Sequence, residues 1–298
     1  MKISIIGTNG FLSTAIAKYA NENKWALNMY GVDQPVGHEY DKYYHVNLME
    51  TEIDCSTLLD SDIVVYAAGA GIQADLKENP YLIYGLNVTV PIGICNKLKE
   101  LCFTGRLVTF GSYFEIGEAV EGHLWTEHEI LTSLLSAPND YTVSKRLFSR
   151  FVASYKHNYV HWHFFLPTIY GAGENPKRLI PYVVNAIQND EALHFTTGEQ
   201  IRQYIHVSEI SRIVSLAYQK NLPSGLYNIS GNEIATVRTI VEKIHCAMGR
   251  NVPLKCFGSV SRADTSMRYL ALDGTKLQSY IGKIEYNHSI VSSLETYF

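Results

Sequence analysis

Two residues four apart, Tyr141 and Lys145 in the run YTVSK, are the pair in this chain best suited to moving a proton. On a helix, positions i and i+4 lie one above the other on the same face. That stacking brings the Lys145 ammonium close to the Tyr141 phenol, and a nearby cation favours phenolate over phenol. The expectation is a tyrosine with a lowered pKa, able to trade a proton near neutral pH. The same spacing arises on the rim of any amphipathic helix, and the chain holds 21 tyrosines. The pair therefore needs support from elsewhere in the sequence.

The second constellation stands at the start. GTNGFLS, residues 7–13, follows the short β-branched run KISIIG and opens a segment of helical spacing, with Leu12, Ile16 and Tyr19 on one side. Gly7 allows a tight turn, and Gly10 lets the backbone approach a pyrophosphate at the helix N-terminus. Asn9, Phe11 and Leu12 belong to the same loop; Ser13 stands where many such motifs carry a third glycine. Strand before and helix after make this a dinucleotide site in expectation, against an ordinary glycine-rich turn. Asp33 closes the second strand, LNMYGVD. A carboxylate there binds both ribose hydroxyls and repels a 2′-phosphate, which favours NAD(H) while leaving NADP(H) possible. The plainer alternative is a solvated turn aspartate before Pro35. Asp62, just ahead of IVVYAAG, either meets the adenine edge or caps a turn. Ala67, Ala68 and Gly69 end that strand with small side chains, which leaves room for a ligand or simply for helix packing.

These residues need a frame. Strand-like and helix-like segments alternate through the first half: KISIIG, LNMYGVD, DIVVYAAG and RLVTFGS, with YLIYGLNVTVPIGICNKLKEL reading as one long helix between the last two. Alternating β and α with buried strands predicts an α/β fold, a doubly wound parallel sheet of Rossmann type covered on both faces. After residue 165 the texture changes at LPTIYGAGENP, which sets the expected boundary. Residues 1–164 are read as the NAD(P)-binding domain. Residues 165–298 are read as a smaller α/β substrate-binding region, part of which crosses back to the first sheet. The 298 residues suit one large or two modest domains, and a net charge of −4 with no basic run gives no support for nucleic-acid binding. No apolar stretch has the length of a membrane span. MKISIIGTNG reads directly as structure, without a leader pattern. Five scattered cysteines form no CxxC pair, so reduced thiols in a cytoplasm are expected and neither a disulfide framework nor a metal site.

Taken in order, Gly7-x-x-Gly10, Asp33, Ala67-Ala68-Gly69, Asn87, TFGS and Tyr141-x-x-x-Lys145 resemble the extended short-chain dehydrogenase/reductases, the epimerases, dehydratases and ketoreductases of nucleotide sugars. IYGAG, TTGEQIRQYIHVSEI, YNISG and SRADTSMRYLALDGTK extend the likeness over nearly the whole chain. It is greatest to 4-ketoreductases of the CDP-abequose synthase type, which share Ser112-Tyr113-Phe114, TTGEQIR and IPY at 180–182. The resemblance implies that Ser112 polarises a sugar carbonyl, Tyr141 is the proton donor, and Lys145 serves both the phenol and the nicotinamide ribose. It places Asn87 with the cofactor. It also implies a diphosphate clamp by Arg202 and Arg262, with Phe195 on the nucleotide base and Tyr113, Thr168 and Arg178 near the sugar. Surface ion pairing, for Arg202 with Glu199 or Glu209, is the plainer reading of the clamp, and a core phenylalanine that of Phe195. Thr168 and Phe165 replace a common asparagine and arginine, and Asn47-Leu48 replaces the usual aspartate-apolar pair near the adenine.

The implied substrate is a UDP-, CDP-, GDP- or dTDP-linked sugar, and relatives form a two-fold dimer through the helices after Asn87 and around Tyr141. The 4,6-dehydratases of the family carry an Asp-Glu pair directly after the Ser/Thr. Tyr113 and Phe114 cannot exchange protons in that way. A 4-ketoreductase of 4-keto-6-deoxyhexoses is expected first and an NAD-dependent 4-epimerase second. A non-catalytic NAD(H) sensor or scaffold is the reading from another class.

Overall fold

The computed structural model describes residues 1–71, 79–120, 122–253, 255–260 and 266–298. Its strands in chain order are β1 (Lys2–Ile6), β2 (Ala26–Gly31), β3 (Lys42–His45), β4 (Ile63–Tyr66), β5 (Arg106–Ser112), β6 (Val160–Leu166), β7 (Thr168–Tyr170), β8 (Ile201–His206), β9 (Gly225–Asn228), β10 (Glu233–Thr236) and β11 (Tyr269–Leu270). The helices are α1 (Phe11–Glu22), α2 (Pro80–Tyr84), α3 (Val90–Glu100), α4 (Glu127–Thr132), α5 (Asp140–Ser154), α6 (Leu179–Gln188), α7 (Val207–Gln219), α8 (Val237–Ala247) and α9 (Thr275–Ile281).

The large sheet runs β3-β2-β1-β4-β5-β6-β9, every pair parallel. It is the doubly wound sheet that the alternating pattern predicts. Period-two alternation sends Ile3 and Ile5 to one face, where they pack on Ile16 and Ala20 of α1 and Ile213 and Ala217 of α7. Ile6 and Val64 face the other way, against Ile94 and Leu98 of α3 and Phe148 and Val152 of α5. The chain direction away from β1 reverses between β1 and β4, so the crevice past the C-terminal ends of these strands is where a ligand lies in such a sheet.

The segment 81–101 is not one helix. α2 passes into a π turn, Gly85–Thr89, before α3 starts with Pro91 in its first turn. A π turn inserts a residue into the helical path and recurs at functional sites; here it carries Asn87.

The small sheet has β8 at its centre, with β7 and β11 parallel and β10 antiparallel to it. Its core packs α6 and α8 around Tyr170, Tyr204 and Phe195. The chain after residue 165 thus builds this sheet and also returns to the large one, supplying β9 at its edge and α7 on its face.

Candidate active site

The strand-to-helix turn after β1 is shaped by Gly7. Its φ is +109°, and a Cβ there would lie 2.8 Å from the Ala68 nitrogen and 3.1 Å from the Ala67 carbonyl carbon. Any side chain at Gly7 would fill the gap between the ends of β1 and β4. Gly10 is the N-cap of α1 and no side chain caps the helix, which leaves its first-turn amides, at Phe11 and Leu12, for an anion. Ser13 is buried and turns its Oγ back onto the Gly10 carbonyl at 2.9 Å. It therefore replaces the third glycine without entering the crevice. Asn9 braces the neighbouring loop, donating to the Gln34 carbonyl and accepting from the Val36 amide, both at 3.0 Å. Asp33 is exposed just past the end of β2, inside the loop that Asn9 holds. These features fit a dinucleotide: a side-chain-free cradle, an uncapped helix end and a carboxylate at the end of the second strand.

Asp62 takes the plainer of its two readings, and Asn87 has a structural role. Asp62 lies at the N-terminal end of β4, the far edge of the sheet, where its carboxylate accepts the Lys2 amide at 2.7 Å. It caps an edge and does not approach an adenine in the crevice. Asn87 is buried, with its amide bonded to both backbone groups of Ala70 and to Ser144 Oγ at 3.0 Å. It holds the Ala67–Ala70 loop against α5, so its polar atoms serve the protein rather than a cofactor.

Ser112 ends β5, and α5 brings Tyr141 beside it, near enough for the Ser112 hydroxyl to favour the phenolate. Lys145 stands one turn on, with Nζ 5.8 Å from the centroid of the Tyr141 ring and 2.9 Å from the Phe110 carbonyl that it donates to. The three residues come together as the resemblance implies. The expected lowering of the phenol does not occur. Burial outweighs the influence of the Ser112 hydroxyl and pushes the Tyr141 phenol up to about 12. Without cofactor the tyrosine is held as the neutral acid.

The reason lies partly with a residue that sequence reasoning passed over. Glu115 is fully buried three residues past Ser112, and its Oε1 accepts the Ser112 amide at 2.8 Å. Its charge opposes a phenolate at Tyr141 and faces Lys145. Burial raises Glu115 and lowers Lys145, bringing their proton affinities toward one another. The Ser-x-x-Glu spacing is a capping box, a local signal that was available in the sequence.

On the sugar side, Phe114 sets its ring edge-on to Tyr141 at 6.2 Å, and Tyr113 is hydrogen-bonded to Thr168 at 2.5 Å. Phe165 is wholly buried in β6. Arg178 caps α6 and lies near enough to favour a Tyr141 phenolate electrostatically. It is braced by Glu174 at 3.3 Å, and Glu174 in turn accepts a bond from Tyr297 at 2.5 Å. Neither Glu174 nor Tyr297 announces itself in sequence. Arg202 is buried in β8, with Nη1 donating to the Ile201 and Met267 carbonyls at 2.9 and 2.7 Å. Glu209, a candidate ion-pair partner for it, is bound instead to Arg212 at 2.6 Å. Phe195 is a core residue, stacked on Phe257 at 5.3 Å and packed by Tyr182, and it presents no free face to a base. Arg262 lies outside the described residues.

A family model described as the NAD dependent epimerase/dehydratase family matches residues 3–230. The CDP-abequose synthase of Yersinia pseudotuberculosis is 22% identical over 249 residues, 81% of this chain and 80% of that protein. Among solved structures, the UDP-glucuronic acid 4-epimerase of Bacillus cereus, in complex with UDP-glucuronic acid and NAD, is similar with a TM-score of 0.83. It is 17% identical and the match covers 99% of this chain and 97% of that one. A dTDP-glucose 4,6-dehydratase double mutant from Streptomyces venezuelae, with NAD bound, gives a TM-score of 0.84 at 16% identity, covering 100% and 97%. At these identities the structural likeness is one of fold.

Proposed function

Because the chain belongs to the NAD dependent epimerase/dehydratase family, we propose that its site reduces the C4 ketone of a nucleotide-linked 4-keto-6-deoxyhexose. The observation that carries this reading is the state of Tyr141, a phenol held protonated by burial beside a serine hydroxyl. A carbonyl oxygen placed against these two groups receives a hydrogen bond from Ser112 and a proton from Tyr141. A bound nicotinamide supplies the hydride. Lys145 stabilises the phenolate that remains. The ring edge of Phe114 and the tied hydroxyl of Tyr113 stand where an elimination would need a second acid and base. Arg178, braced by Glu174, is the cation that the small-sheet half directs toward Tyr141; we assign it to the substrate, with buried Arg202 behind it.

The test is incubation with CDP-, dTDP-, UDP- and GDP-linked 4-keto-6-deoxyhexoses and NADH or NADPH. Loss of reduced-nicotinamide absorbance with formation of the C4 alcohol is the expected result. Inversion at C4 of an ordinary nucleotide hexose, with no net cofactor consumption, identifies a 4-epimerase instead. Asp33 favours that second reading, since a carboxylate at the ribose suits an enzyme that keeps and recycles NAD. Binding of cofactor without either reaction would leave the sensor reading, against which Ser112, Tyr141 and Lys145 all stand together.

Asp33 makes no side-chain hydrogen bond among the described residues and lies open at the end of β2. NAD(H) is expected to bind at least about tenfold more tightly than NADP(H), a difference of ~1.4 kcal/mol. Titration by nucleotide fluorescence decides it, and equal affinities remove Asp33 from the site.

We also propose an isologous dimer through α3 and α5. Leu147 on α5, Tyr81 on α2 and Leu134 in the turn before α5 are large apolar side chains left exposed, Leu134 at 93%. Sedimentation at micromolar protein is expected to give twice the chain mass; a monomer there refutes the interface.

A further inference from the structure

Val32, Asp33 and Gln34, the three residues that follow β2, are all exposed. Little apolar packing holds such a segment, so hydrogen bonds to its backbone have to. Those bonds come from two sides. From the glycine loop, Asn9 donates to the Gln34 carbonyl and accepts the Val36 amide, both at 3.0 Å. From β3, the edge strand of the large sheet, Tyr43 and His45 reach across to the end of β2. The parallel register sets His45 opposite Gly31, with Tyr43 two residues earlier on the same face. The Tyr43 hydroxyl lies 2.9 Å from both the Gly31 and Val32 carbonyls and shares its hydrogen between them. His45 Nδ1 lies 2.9 Å from the same Val32 carbonyl and 3.3 Å from the Tyr43 hydroxyl. A carbonyl only accepts, so His45 carries its hydrogen on Nδ1. The Val32 carbonyl thus takes two side-chain bonds immediately before Asp33, and the Gln34 carbonyl takes one immediately after it. The Gln34 side chain is tied as well, donating to the Tyr40 hydroxyl at 2.5 Å.

We propose that Tyr43 and His45 are positioning residues for cofactor choice: they fix the backbone that carries Asp33, so that its carboxylate keeps one place beside the adenosine ribose. The proposal rests on the reading of Asp33 as the ribose carboxylate, and it holds for reduction and epimerisation alike. A carboxylate there distinguishes the two nicotinamide cofactors in two ways. It accepts hydrogen bonds from free ribose hydroxyls, and it repels a 2′-phosphate. Both effects depend on its staying in place. On a loose loop the carboxylate swings away from a phosphate, which relieves the repulsion, and it has to be ordered again before it binds hydroxyls. Loosening the loop therefore weakens NAD(H) and spares or strengthens NADP(H).

The surroundings suit fixed placement. Gly31 is pressed against the glycine loop, since a Cβ there would run into the Thr8 side chain. The Tyr43 ring packs at the margin of the apolar core, edge-on to Tyr40 at 6.4 Å. Burial and then the Asp33 charge raise the Tyr43 phenol, which keeps it a neutral donor. The bonds from Asn9, Tyr43 and His45 all go to the backbone on either side of Asp33, which leaves its carboxylate open to a ligand.

The ratio of NADH to NADPH affinity, titrated by nucleotide fluorescence, reads this directly. Wild type is expected to prefer NADH by at least about tenfold. Tyr43→Phe keeps the ring and removes the hydroxyl, and His45→Ala removes the imidazole donor. The double variant is expected to lower the preference to about threefold or less, with NADPH bound no more weakly than by wild type. His45→Asn in the Tyr43→Phe background restores much of the preference, because an amide N–H replaces the one on Nδ1. Equal losses of NADH and NADPH affinity overturn the proposal, since a general loosening of the fold lowers both together. An unchanged ratio overturns it too. Asp33→Asn separates the proposal from the reading beneath it. If that variant abolishes the preference while the double variant keeps it, Asp33 reads the ribose and the two pins do not matter. If Asp33→Asn leaves the preference intact, or wild type has none, both fall. Should the double variant fail to fold, Tyr43→Phe alone is expected to cut the ratio by about twofold or more; a wild-type ratio there overturns the proposal.

Discussion

Tyr141→Phe lowers turnover on the sugar substrate by a factor on the order of 10² to 10⁴, the worth of a positioned general acid, and leaves fold and NAD(H) affinity at wild-type values. The phenylalanine ring retains the edge contact with Phe114. What is lost is the hydroxyl that meets Ser112. Ser112 Oγ keeps its backbone partner, the Phe114 amide at 3.2 Å, so it is not left stranded. Ser112→Ala costs a comparable or smaller factor, through loss of a hydrogen bond aimed at the carbonyl. The two losses do not add, because the residues act as one unit. Steady-state kinetics on the true substrate, with circular dichroism and cofactor titration as controls, measures all of this. Near-normal turnover by Tyr141→Phe would mean that the pair is an ordinary helix rim.

Lys145→Met acts on stability as well as on turnover, and the stability loss depends on pH. Removing the lysine takes away one of two cations, Lys145 and Arg146, whose charges favour the buried Glu115 carboxylate, and a buried charge that loses such support destabilises the fold. The sign with pH follows from Glu115, whose folded pKa is already raised by burial and rises further without Lys145. A raised carboxyl takes up a proton on folding in the window between its unfolded and folded pKa values, so stability falls as pH rises through that window. The deficit of Lys145→Met is therefore small near pH 4 and larger near pH 8, once pH has passed the folded Glu115 value of about 7. Adding Glu115→Gln is expected to recover most of it by removing the stranded charge, while turnover stays low. Urea denaturation of the two variants at both pH values provides the measurement. A deficit that is independent of pH, or that survives Glu115→Gln, would show that the two groups do not act on each other.

What could be read in advance was whatever depends on neighbours along the chain. Gly7 and Gly10 sit at a strand end and a helix start, and Tyr141 and Lys145 share a helix face, so spacing alone places them. Asp33 follows the same logic at the end of β2. Asp62 shows its limit, since the same adjacency to a strand puts it at the opposite edge of the sheet. Phe195 was ambiguous because an aromatic in a core and one stacked on a base have the same local sequence; only Phe257, 62 residues on, decides between them. Thr109 bonds both His161 and His163 because it is paired with His163 across β5 and β6, and sequence does not encode register between strands 52 and 54 residues apart. The Arg178 brace needs closure over a longer distance still, since Tyr297 reaches back to Glu174 and to the Gly171 amide at 2.9 Å.

The π turn at Gly85–Thr89 makes chain length itself a functional variable. It holds one residue more than an α-helix would over the same path, and each residue is worth about 100° around the axis. Deleting one position between 85 and 89 would keep both flanking helices and swing the Asn87 amide roughly a quarter-circle from Ala70 and Ser144. A relative with such a deletion would have to secure the loop equivalent to Ala67–Ala70 by other side chains. Alignments that close the gap silently would assign Asn87 to a position that faces elsewhere.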